Sequence, residues 1–485
     1  DKFNMRILLV LKESTLHERL GVMYLSSSLK EAGHEVRLVL LDHVKPKALK
    51  ELMSSYSPAV VGYSAMTGEH YKLVETNRLL KEEFDFTAVM GGPHPTFFSE
   101  VVEEDGLDAV CIGEGEIAFT QFCGRLESGE AYWETESFVV KHNGEIIRNP
   151  LMPLVKDLDI LPFPDRALMY EADPVLGNAG HRIFFSMRGC PFKCTYCFNS
   201  KYNEMFKGKG PVIRNRSPEN VVEEICEVRD RFSLDIVWFE DDTFILKKLS
   251  WFQRFCELYK ENVKLPFSCN FRANLVDEEV IRLLKDAGLD SVFMGVECGN
   301  EELSNTVLQR GLKNEQIIKA AAAVRKYGIK LVTFNLLGLP VNGSYKTDLS
   351  TLDLNIKIKP TFAESSLVYP YPGTKLEEYS KKSGLMEETQ PFLETNKRSS
   401  VFRFSSESEK KKIENLHKLF GLFVEFPSLR PLCSLMCSLR LKPLYTAWFY
   451  FWYGYNIKIR IFPFRSFRKE LGKHFSVFCN IVRKS

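Results

Sequence analysis

The sequence predicts an α/β fold with two sheet-bearing parts, a doubly wound parallel sheet and a partial (β/α)6 barrel of the TIM type, followed by a mostly helical C-terminal region. Three observations predict it. Strand-like and amphipathic segments alternate from residue 5 to about 128 and again from 183 to about 371. The second stretch holds six strand–helix pairs, too few for a closed eight-stranded barrel. The chain, at 485 residues, is too long for a single hydrophobic core.

The first predicted domain, residues 1–135, alternates apolar runs with amphipathic segments. Its strands correspond to the runs MRILLVL, EVRLVLL, AVVGYSA, TAVMGGP and AVCIGE. The first helix is expected from about Glu18 to Ala32, with Gly33 as its C-terminal cap. Strand and helix in steady succession predict a doubly wound sheet of the flavodoxin or Rossmann-like type.

Three of these strands end in loops rich in small or polar residues. The carboxyl ends of parallel strands share one edge of a sheet, and that edge is where such folds bind ligands. Glycine at this edge lets a bulky or phosphate-bearing ligand approach the backbone, although each loop alone is also compatible with a tight turn. The candidate binding residues are Ser64, Met66, Thr67, Gly91, Gly92, His94, Thr96, Gly113, Glu114, Gly115 and Glu116.

Residues 136–180 are expected to connect the two sheets. The segment from Phe138 to Arg148 predicts a β-hairpin, because its Asn143-Gly144 dipeptide favours a type I′ turn. Four prolines then interrupt regular structure and indicate a domain boundary, namely Pro150, Pro153, Pro162 and Pro164.

The run CPFKCTYC places Cys190, Cys194 and Cys197 just after an apolar segment. Three thiolates fill only three of the four iron positions of a [4Fe–4S] cluster, so one iron is left open to a substrate or cofactor. A zinc site with a distant fourth ligand is the alternative. The cysteines follow the carboxyl end of a predicted strand, where α/β barrels have their active sites, and this favours a site for chemistry.

Polar residues end several strands of the predicted barrel, residues 181–375. A buried carboxylate at a strand end is costly unless it is paired. A salt bridge at the barrel rim explains each residue alone, whereas their occurrence at successive strand ends favours a cofactor site. The residues are Glu240, Asp241 and Asp242 after DIVWF, Arg272 after PFSCNF, Glu297 after SVFMGV, and Gly338 after KLVTFNLL.

The three-cysteine spacing, with Tyr196 before the last cysteine, resembles the signature of the radical S-adenosylmethionine (SAM) superfamily. The resemblance implies a three-quarter barrel and a [4Fe–4S] cluster whose open iron is chelated by SAM. It also implies SAM contacts by Tyr196, by the acids Glu240, Asp241 and Asp242 near the amino group, by Arg272 near the carboxylate, by Glu297 near the ribose and by Gly338 near the adenine.

The runs VVGYSAMT, GGPHPTF and GEGE resemble the cobalamin-binding domain that precedes the barrel in one large branch of that superfamily. The resemblance implies that the candidate loop residues bind cobalamin. None of the nine histidines lies in a D-x-H-x-x-G motif, so a cobalamin without that histidine on cobalt is implied. A sheet kept for docking without any cofactor is the alternative.

This resemblance implies an enzyme that generates a 5′-deoxyadenosyl radical and methylates an unactivated carbon of a hydrophobic or natural-product substrate. Flavodoxin or ferredoxin would be its electron donor. Radical ring rearrangement, or oxidative cyclisation as in the anaerobic magnesium-protoporphyrin monomethyl ester cyclases, would use the same two domains. A non-catalytic cobalamin or redox sensor is the alternative of another class.

The C-terminal region, residues 376–485, is expected to hold one helix from about Lys375 to Gly384 and another from about Glu407 to Phe426. An aromatic run, WFYFWYGY, follows at 448–455, and after Glu425 the only acidic residue is Glu470. Aromatic rings with basic flanks are typical of a membrane interface. A lid that caps the open barrel over its substrate is the alternative.

The composition limits the class of protein. The formal net charge of +2 gives no overall case for nucleic-acid binding. Twelve cysteines without a secretory signal predict a reducing cytoplasm, with membrane association left open by the C-terminal aromatics. Cys433 and Cys437 repeat a C-x3-C spacing but lack a third partner, so no metal is assigned to them.

Overall fold

The computed structural model describes residues 5–14, 17–386 and 399–462. The chain divides into an N-terminal unit, Asp1–Ala179 with Phe206–Arg214, and a C-terminal unit, Gly180–Met205 with Asn215–Ser485. Residues 463–485, which include much of the expected basic tail as well as Glu470 and Cys479, lie outside the described residues.

The N-terminal unit contains a seven-stranded sheet in the order β2-β1-β3-β4-β5-β6-β7. The first five strands are parallel, and β6 and β7 are antiparallel additions. The strands are β1 (Arg6–Leu11), β2 (Glu35–Leu40), β3 (Val60–Ser64), β4 (Thr87–Gly91), β5 (Ala109–Cys111), β6 (Phe138–His142) and β7 (Glu145–Arg148). The helices are α1 (Leu20–Glu31), α2 (Pro46–Tyr56), α3 (His70–Lys81), α4 (Pro93–Phe97), α5 (Gly115–Ser128), α6 (Arg166–Ala172) and α7 (Pro174–Gly177).

The predicted hairpin is confirmed, but it extends the first sheet. Asn143 and Gly144 both have positive φ, 50° and 82°, as a type I′ turn requires. Strand β6 pairs with β5, and Phe138 stacks on Phe122 of α5 with ring centroids 4.4 Å apart. The sheet therefore continues to Arg148, beyond the expected limit at residue 135, because the hairpin's apolar face covers the rings of α5.

The C-terminal unit contains an open, six-stranded parallel sheet in the order β15-β14-β13-β12-β11-β8. Its strand count agrees with the predicted partial barrel. The strands, with the short pair β9–β10, are β8 (His181–Phe184), β9 (Met187–Arg188), β10 (Arg214–Asn215), β11 (Ile236–Phe239), β12 (Phe267–Phe271), β13 (Leu289–Glu297), β14 (Lys330–Leu337) and β15 (Phe362–Leu367). The helices between and after them are α8 (Phe198–Met205), α9 (Pro218–Arg231), α10 (Leu249–Asn262), α11 (Glu278–Ala287), α12 (Glu301–Thr306), α13 (Asn314–Lys326), α14 (Ser344–Ile358), α15 (Lys375–Lys382), α16 (Glu407–Glu425), α17 (Cys433–Ser438) and α18 (Lys442–Tyr455), with a π-helical turn at Asn456–Ile461.

Alternate residues of these strands face two different cores, as the period of two of a β-strand requires. Val237 and Phe239 of β11 pack with the helices of the sheet's outer layer. Ile236 and Trp238 of the same strand belong to a separate cluster on the opposite, inner face. Polar residues beyond the strands' carboxyl ends are thereby held on a rigid apolar frame.

Part of the C-terminal aromatic run lies on the inner face of the open sheet, where Trp452 and Tyr453 pack against the apolar cluster that includes Phe293 and Phe362. Phe462 stacks on His181, the first residue of β8, with centroids 5.8 Å apart, and it contacts Trp238 at 5.6 Å. Ile461 and Phe462 thus cover the inner face toward the amino ends of the strands, where apolar side chains need cover. No helix among the described residues has the length and apolar character to cross a bilayer.

Candidate active site

The cysteine-bearing loop leaves the carboxyl end of β8 and is fixed by backbone hydrogen bonds. Thr195 donates from its backbone N to Leu308 O at 3.1 Å and from Oγ1 to Val307 O at 2.7 Å. Asn203 of α8 donates to Cys190 O at 2.8 Å. Cys194 is buried, while Cys190 and Cys197 are partly exposed. These hydrogen bonds therefore hold the backbone that carries the three thiols in a fixed position.

The protein environment disfavours the thiolate form of two of the three cysteines, and burial raises the pKa of the Cys190 thiol. Burial, assisted by the Asp242 carboxylate, raises the pKa of Cys197 to about 12 against a hydrogen bond from the Asn199 backbone. Metal ligation supplies the positive charge that converts such a thiol to a thiolate. Among the described residues no three His, Cys, Asp or Glu side chains are arranged to hold a single metal ion. A [4Fe–4S] cluster takes one thiolate per iron, and the three-thiol set fits that demand.

Tyr196 joins the cysteine loop to Glu297 at the end of β13. Its hydroxyl donates to Glu297 Oε1 at 3.3 Å. Arg310 Nη1 donates to the same Oε1 at 3.2 Å and to Tyr196 Oη at 2.5 Å, and Arg310 Nη2 donates to Gly295 O at 2.5 Å. Burial raises the pKa of Glu297, and Arg310 opposes that rise. The result is a buried network that holds one carboxylate beside the cysteines.

Glu297 has a strained backbone. Its φ is 64°, in the left-handed region, and the pairing register of β13 with β14 shifts between Gly295 and Glu297. Such a conformation costs about 1–3 kcal/mol in a residue other than glycine and clusters at functional sites. A Cβ on Gly295 would lie 2.7 Å from Glu297 Oε1, so glycine is required beneath the carboxylate. The strain indicates that the position of this carboxylate has a function.

Arg272, at the end of β12, lies against the cysteine loop. Its guanidinium carbon is 3.7 Å from the ring centroid of Phe192, and its Nη1 is 3.9 Å from Cys194 Sγ. Its Nη2 donates to Arg310 O. Its Nε is buried and has no hydrogen-bond partner among the described residues. A buried, unpaired donor on a cation fits an anionic group such as a ligand carboxylate.

Asp241 and Asp242, two of the three acids after β11, have different roles in the structure. Asp241 is buried and accepts from the backbone N of Ser186 at 2.8 Å and of Met187 at 3.1 Å, and Lys247 Nζ lies 3.4 Å from it. Its carboxylate is therefore used to fix the segment that leads to the cysteines. Asp242 accepts from Asn199 at 2.8 Å and is exposed beside the loop, which makes it the better candidate for a ligand amino group.

Gly338 is closely surrounded by other parts of the chain. Its φ is 76°, and its backbone N donates to both carboxylate oxygens of buried Asp348, at 3.0 and 3.1 Å. A Cβ at this position would lie 3.1 Å from Ile413 and 3.4 Å from Phe404. The glycine is explained by packing within the chain on this side. The sequence could not indicate that, because Ile413 and Phe404 are distant along the chain.

In the N-terminal unit the loops after β3 and β4 interlock. Ala65 N donates to Gly91 O, and His94 N donates to Ala65 O, each at 2.9 Å. Gly92 has φ 94°, and a Cβ there would lie 3.0 Å from the backbone of Ala65 and 3.1 Å from Ser64 Oγ. The close contact between these loops thus depends on glycine at position 92.

The third loop joins them through Thr96, whose Oγ1 accepts from Gly113 N at 3.0 Å. The predicted residues therefore meet at one edge of the sheet. Met66 is exposed there. A Cβ added at Gly91 would have one neighbour within 4 Å among the described residues, the Cβ of Cys111 at 3.8 Å. An accessible edge lined by backbone and short polar side chains fits a large cofactor such as cobalamin.

Two stacked histidines lie beneath this edge. The rings of His70 and His94 are 3.6 Å apart and nearly parallel, and Thr67 Oγ1 is 3.2 Å from His94 Nδ1. Burial, and next His70, lowers the pKa of His94 to about 3, and burial lowers that of His70 to about 4. Both rings are neutral at neutral pH. His70 was not a predicted site residue, since one histidine at the start of a helix carries no signal.

Part of the GEGE loop has a structural role. Glu114 forms an ion pair with buried Arg214 at 2.8 Å and accepts from Val155 N at 2.9 Å. A Cβ on Gly113 would lie 2.5 Å from the ring of Phe206, and one on Gly115 would lie 2.8 Å from Leu25. Glu116 is buried in the first turn of α5. Residues 113–116 are therefore packed against other parts of the unit, whereas the loops after β3 and β4 form the accessible part of the edge.

Comparisons with known proteins agree with this division of the chain. Residues 7–122 match the B12 binding domain family, and residues 184–347 match the radical SAM superfamily. The chain is 27% identical over 401 residues to a protein of Pyrococcus horikoshii named as an uncharacterized methyltransferase, covering 79% of this chain and 84% of that protein. It is also 27% identical over 372 residues to the anaerobic magnesium-protoporphyrin IX monomethyl ester cyclase of Rubrivivax gelatinosus, covering 73% and 65% of the two chains.

A solved structure extends the likeness over both units. The cobalamin-dependent SAM radical enzyme OxsB, with aqua-cobalamin and SAM bound, matches with a TM-score of 0.70 at 17% identity, covering 95% of this chain and 74% of that one. The two matched families imply a [4Fe–4S] cluster, SAM and cobalamin as cofactors, and the donor sets described above fit them. The chain is therefore a radical SAM protein with an N-terminal B12-binding domain.

Proposed function

We propose that this protein is a cobalamin-dependent radical SAM C-methyltransferase that acts on an unactivated carbon of a hydrophobic or natural-product substrate. The observation that carries the proposal is the strained, buried Glu297 held by Arg310 and Tyr196 beside the three cysteines, in a chain that also has an accessible cobalamin-type edge. When bound, these cofactors supply single-electron chemistry and a transferable methyl group.

Different residues of the C-terminal unit would bind the cluster and the separate groups of SAM. Cys190, Cys194 and Cys197 would hold the cluster as thiolates. The buried Arg272 cation would meet the carboxylate of SAM, and Asp242 would meet its amino group. Glu297 would accept hydrogen bonds from the ribose hydroxyls. Residues at several successive strand ends would together fix the orientation of SAM. A reactive radical requires this, because a displacement of the reacting group by about 1 Å greatly lowers the rate of reaction.

The cobalamin contacts would come from the accessible loops of the N-terminal unit. The proposed residues are Ser64, Met66, Thr67, Gly91, Gly92, His94 and Thr96. The neutral state of His94 and its stacking on His70 make it a packing surface, and the absence of D-x-H-x-x-G in the sequence supports a cobalamin bound without a histidine from that motif.

The apolar inner face of the C-terminal sheet supports the proposal that the substrate is hydrophobic. Trp238, Phe293 and Phe334 line that face beside Ile461 and Phe462, and Trp238 and Phe334 keep part of their surface exposed. Such a surface binds an apolar skeleton and excludes water from the site. The proposed electron donor is a small redox protein such as flavodoxin or ferredoxin.

Oxidative cyclisation is a second candidate, because the cyclase relative has the same 27% identity to this chain as the methyltransferase-named relative, although over a smaller share of both chains. One assay distinguishes the candidates. Protein purified and reconstituted without oxygen, with cobalamin supplied, is incubated with SAM, a reductant and candidate hydrophobic substrates, and the nucleoside products are counted.

A methyltransferase is expected to release S-adenosylhomocysteine as well as 5′-deoxyadenosine. A cyclase would release 5′-deoxyadenosine without S-adenosylhomocysteine. Cluster-replete protein that releases neither product would contradict both candidates and would favour a non-catalytic cobalamin or redox sensor.

A further inference from the structure

The C-terminal helices carry an exposed apolar face. Helix α17 and the turns around it expose Leu432, Leu435 and Leu439, which recur at spacings of three and four residues. Helix α18 exposes Leu444 and Phe451, with about 60% of each side chain accessible. The C-terminal apolar face is defined here as Leu432, Leu435, Leu439, Leu441, Leu444, Phe451 and Tyr455.

These side chains are not the core-facing side of their helices. Cys433, Cys437 and Tyr445 are buried on the other side, in the cluster that α16 forms with β15. Asn415 of α16 donates to Cys437 O at 2.9 Å and so fixes the end of α17. Both helices are therefore already packed by one face, and the second apolar face lies toward solvent. Exposed apolar side chains grouped in this way along two successive helices, rather than scattered singly, indicate an interaction site.

The segment that carries the face has charged residues of a single sign. Residues 426–462 contain five basic residues and no acidic ones. Arg430 is paired with Asp353 at 2.6 Å and Arg460 with Glu425 at 2.9 Å. Arg440 and Lys442, between α17 and α18, are exposed. The face thus combines leucine and aromatic side chains with positive charge beside them.

Two kinds of partner fit an apolar face, and the charge distinguishes them. A second copy of this chain, related by a two-fold axis, would bring the same positive groups together and repel. An anionic phospholipid surface attracts them, accepts leucine and aromatic side chains below the headgroups, and does not need a helix that spans the bilayer.

We propose that the C-terminal apolar face docks this protein on the surface of an anionic phospholipid membrane. The inference is independent of the reaction assigned to the active site. Leu435, Leu444 and Phe451 enter the boundary between headgroups and acyl chains, while Arg440 and Lys442 meet lipid phosphates.

The test measures co-sedimentation of the cofactor-loaded full chain with vesicles of phosphatidylcholine, with and without phosphatidylglycerol. Binding is expected only, or far more strongly, with phosphatidylglycerol, and added salt should weaken it. The Arg440→Ala/Lys442→Ala variant is expected to lower the partition coefficient on the order of 30-fold, at about fivefold for each basic residue. Lys47→Ala is the matched control, because Lys47 is 90% exposed on α2.

Phe451→Glu places a carboxylate in the apolar face and should abolish vesicle binding without loss of nucleoside release in solution. Ile160→Glu is the control, since Ile160 is 65% exposed in the N-terminal unit. Absence of binding to phosphatidylglycerol vesicles, or binding that survives Phe451→Glu, would overturn the proposal. A concentration-dependent dimer that Phe451→Glu dissolves would assign the face to a second copy instead.

Discussion

Glu297 and Arg310 form a buried ion pair, 3.2 Å between Oε1 and Nη1. The guanidinium of Arg310 also donates to the hydroxyl of Tyr196, which lies between Cys194 and Cys197 in the sequence. The pair joins two features that are separate in the sequence, the cysteine loop and the end of β13. Residues 307 and 308, just before Arg310, accept both hydrogen bonds of Thr195. The segment 307–310 therefore positions the cysteine loop and the carboxylate together.

Replacing Arg310 by glutamine is expected to lower the rate of SAM cleavage on the order of 10- to 100-fold, the range seen when a residue that orients a ligand-binding group is lost. The cluster should still assemble, because the three cysteines remain. The measurement is 5′-deoxyadenosine release at saturating and limiting SAM, beside iron content. Arg282→Gln, an exposed arginine of α11, is the control. Unchanged kinetics in the Arg310 variant would contradict a positioning role.

Replacing Cys194 by alanine should remove the cluster and, with it, all SAM cleavage. Two thiolates cannot hold a cluster that needs three protein ligands. Iron per chain and the anaerobic absorption spectrum are the readouts. Cys226→Ala, a partly exposed cysteine of α9, should keep both. A Cys194 variant that retained its iron and its turnover would show that the cluster lies elsewhere.

The stacked histidines predict a pH dependence of stability in the N-terminal unit. In the unfolded chain each histidine binds a proton near pH 6.5, whereas in the folded unit burial lowers the pKa of His94 to about 3 and of His70 to about 4. The unfolded state thus binds more protons between about pH 4 and 6.5. The stabilising contribution is complete above pH 6.5 and falls as the pH drops, by at most about 1.4 kcal/mol per pH unit for each histidine.

Chemical unfolding at pH 7.5 and pH 5.5 measures this effect. The His70→Asn/His94→Asn variant should have the shallower dependence, because asparagine does not titrate. Equal pH dependence in the variant and the unchanged protein would mean that the two rings are not held neutral in the fold.

Replacing Gly92 by alanine is expected to lower cobalamin retention. The combination of φ 94° and ψ −171° is essentially confined to glycine and costs another residue about 1–3 kcal/mol, and the added methyl group would press on the backbone of Ala65. Cobalt per chain after gel filtration is the readout. Gly124→Ala is the matched control, since a Cβ on this exposed glycine of α5 meets nothing within 4 Å and alanine favours a helix. Equal cobalt in both variants would contradict the binding role of the β3 and β4 loops.

Local periodicity was sufficient to predict the order of elements. The helix predicted from about Glu407 to Phe426 is α16, whose N-cap Ser406 accepts a hydrogen bond from Glu409 N, because caps and apolar spacing are local signals. The antiparallel attachment of β6 to β5 was missed, since the partner of an added edge strand depends on which apolar surface remains uncovered. The covering of the inner face by Phe462 was missed for the same reason.

Strand ends were sufficient to predict that Glu297, Arg272 and Asp242 lie near the cysteines. They could not separate ligand-binding acids from structural ones, and Asp241 and Glu114 are both engaged by partners distant in sequence. Arg310 was not predicted at all. It follows α12 in an irregular segment, and only the fold brings it within reach of Glu297.

The presence of both cofactors is tested most directly by an anaerobic count of iron and cobalt, with the ultraviolet-visible spectrum, on protein expressed with cobalamin supplied. About four irons for the cluster and about one cobalt per chain are expected. Iron without cobalt would contradict this expectation, because the edge formed by the β3 and β4 loops would then bind no cobalamin and the methyl-transfer proposal would lose its basis.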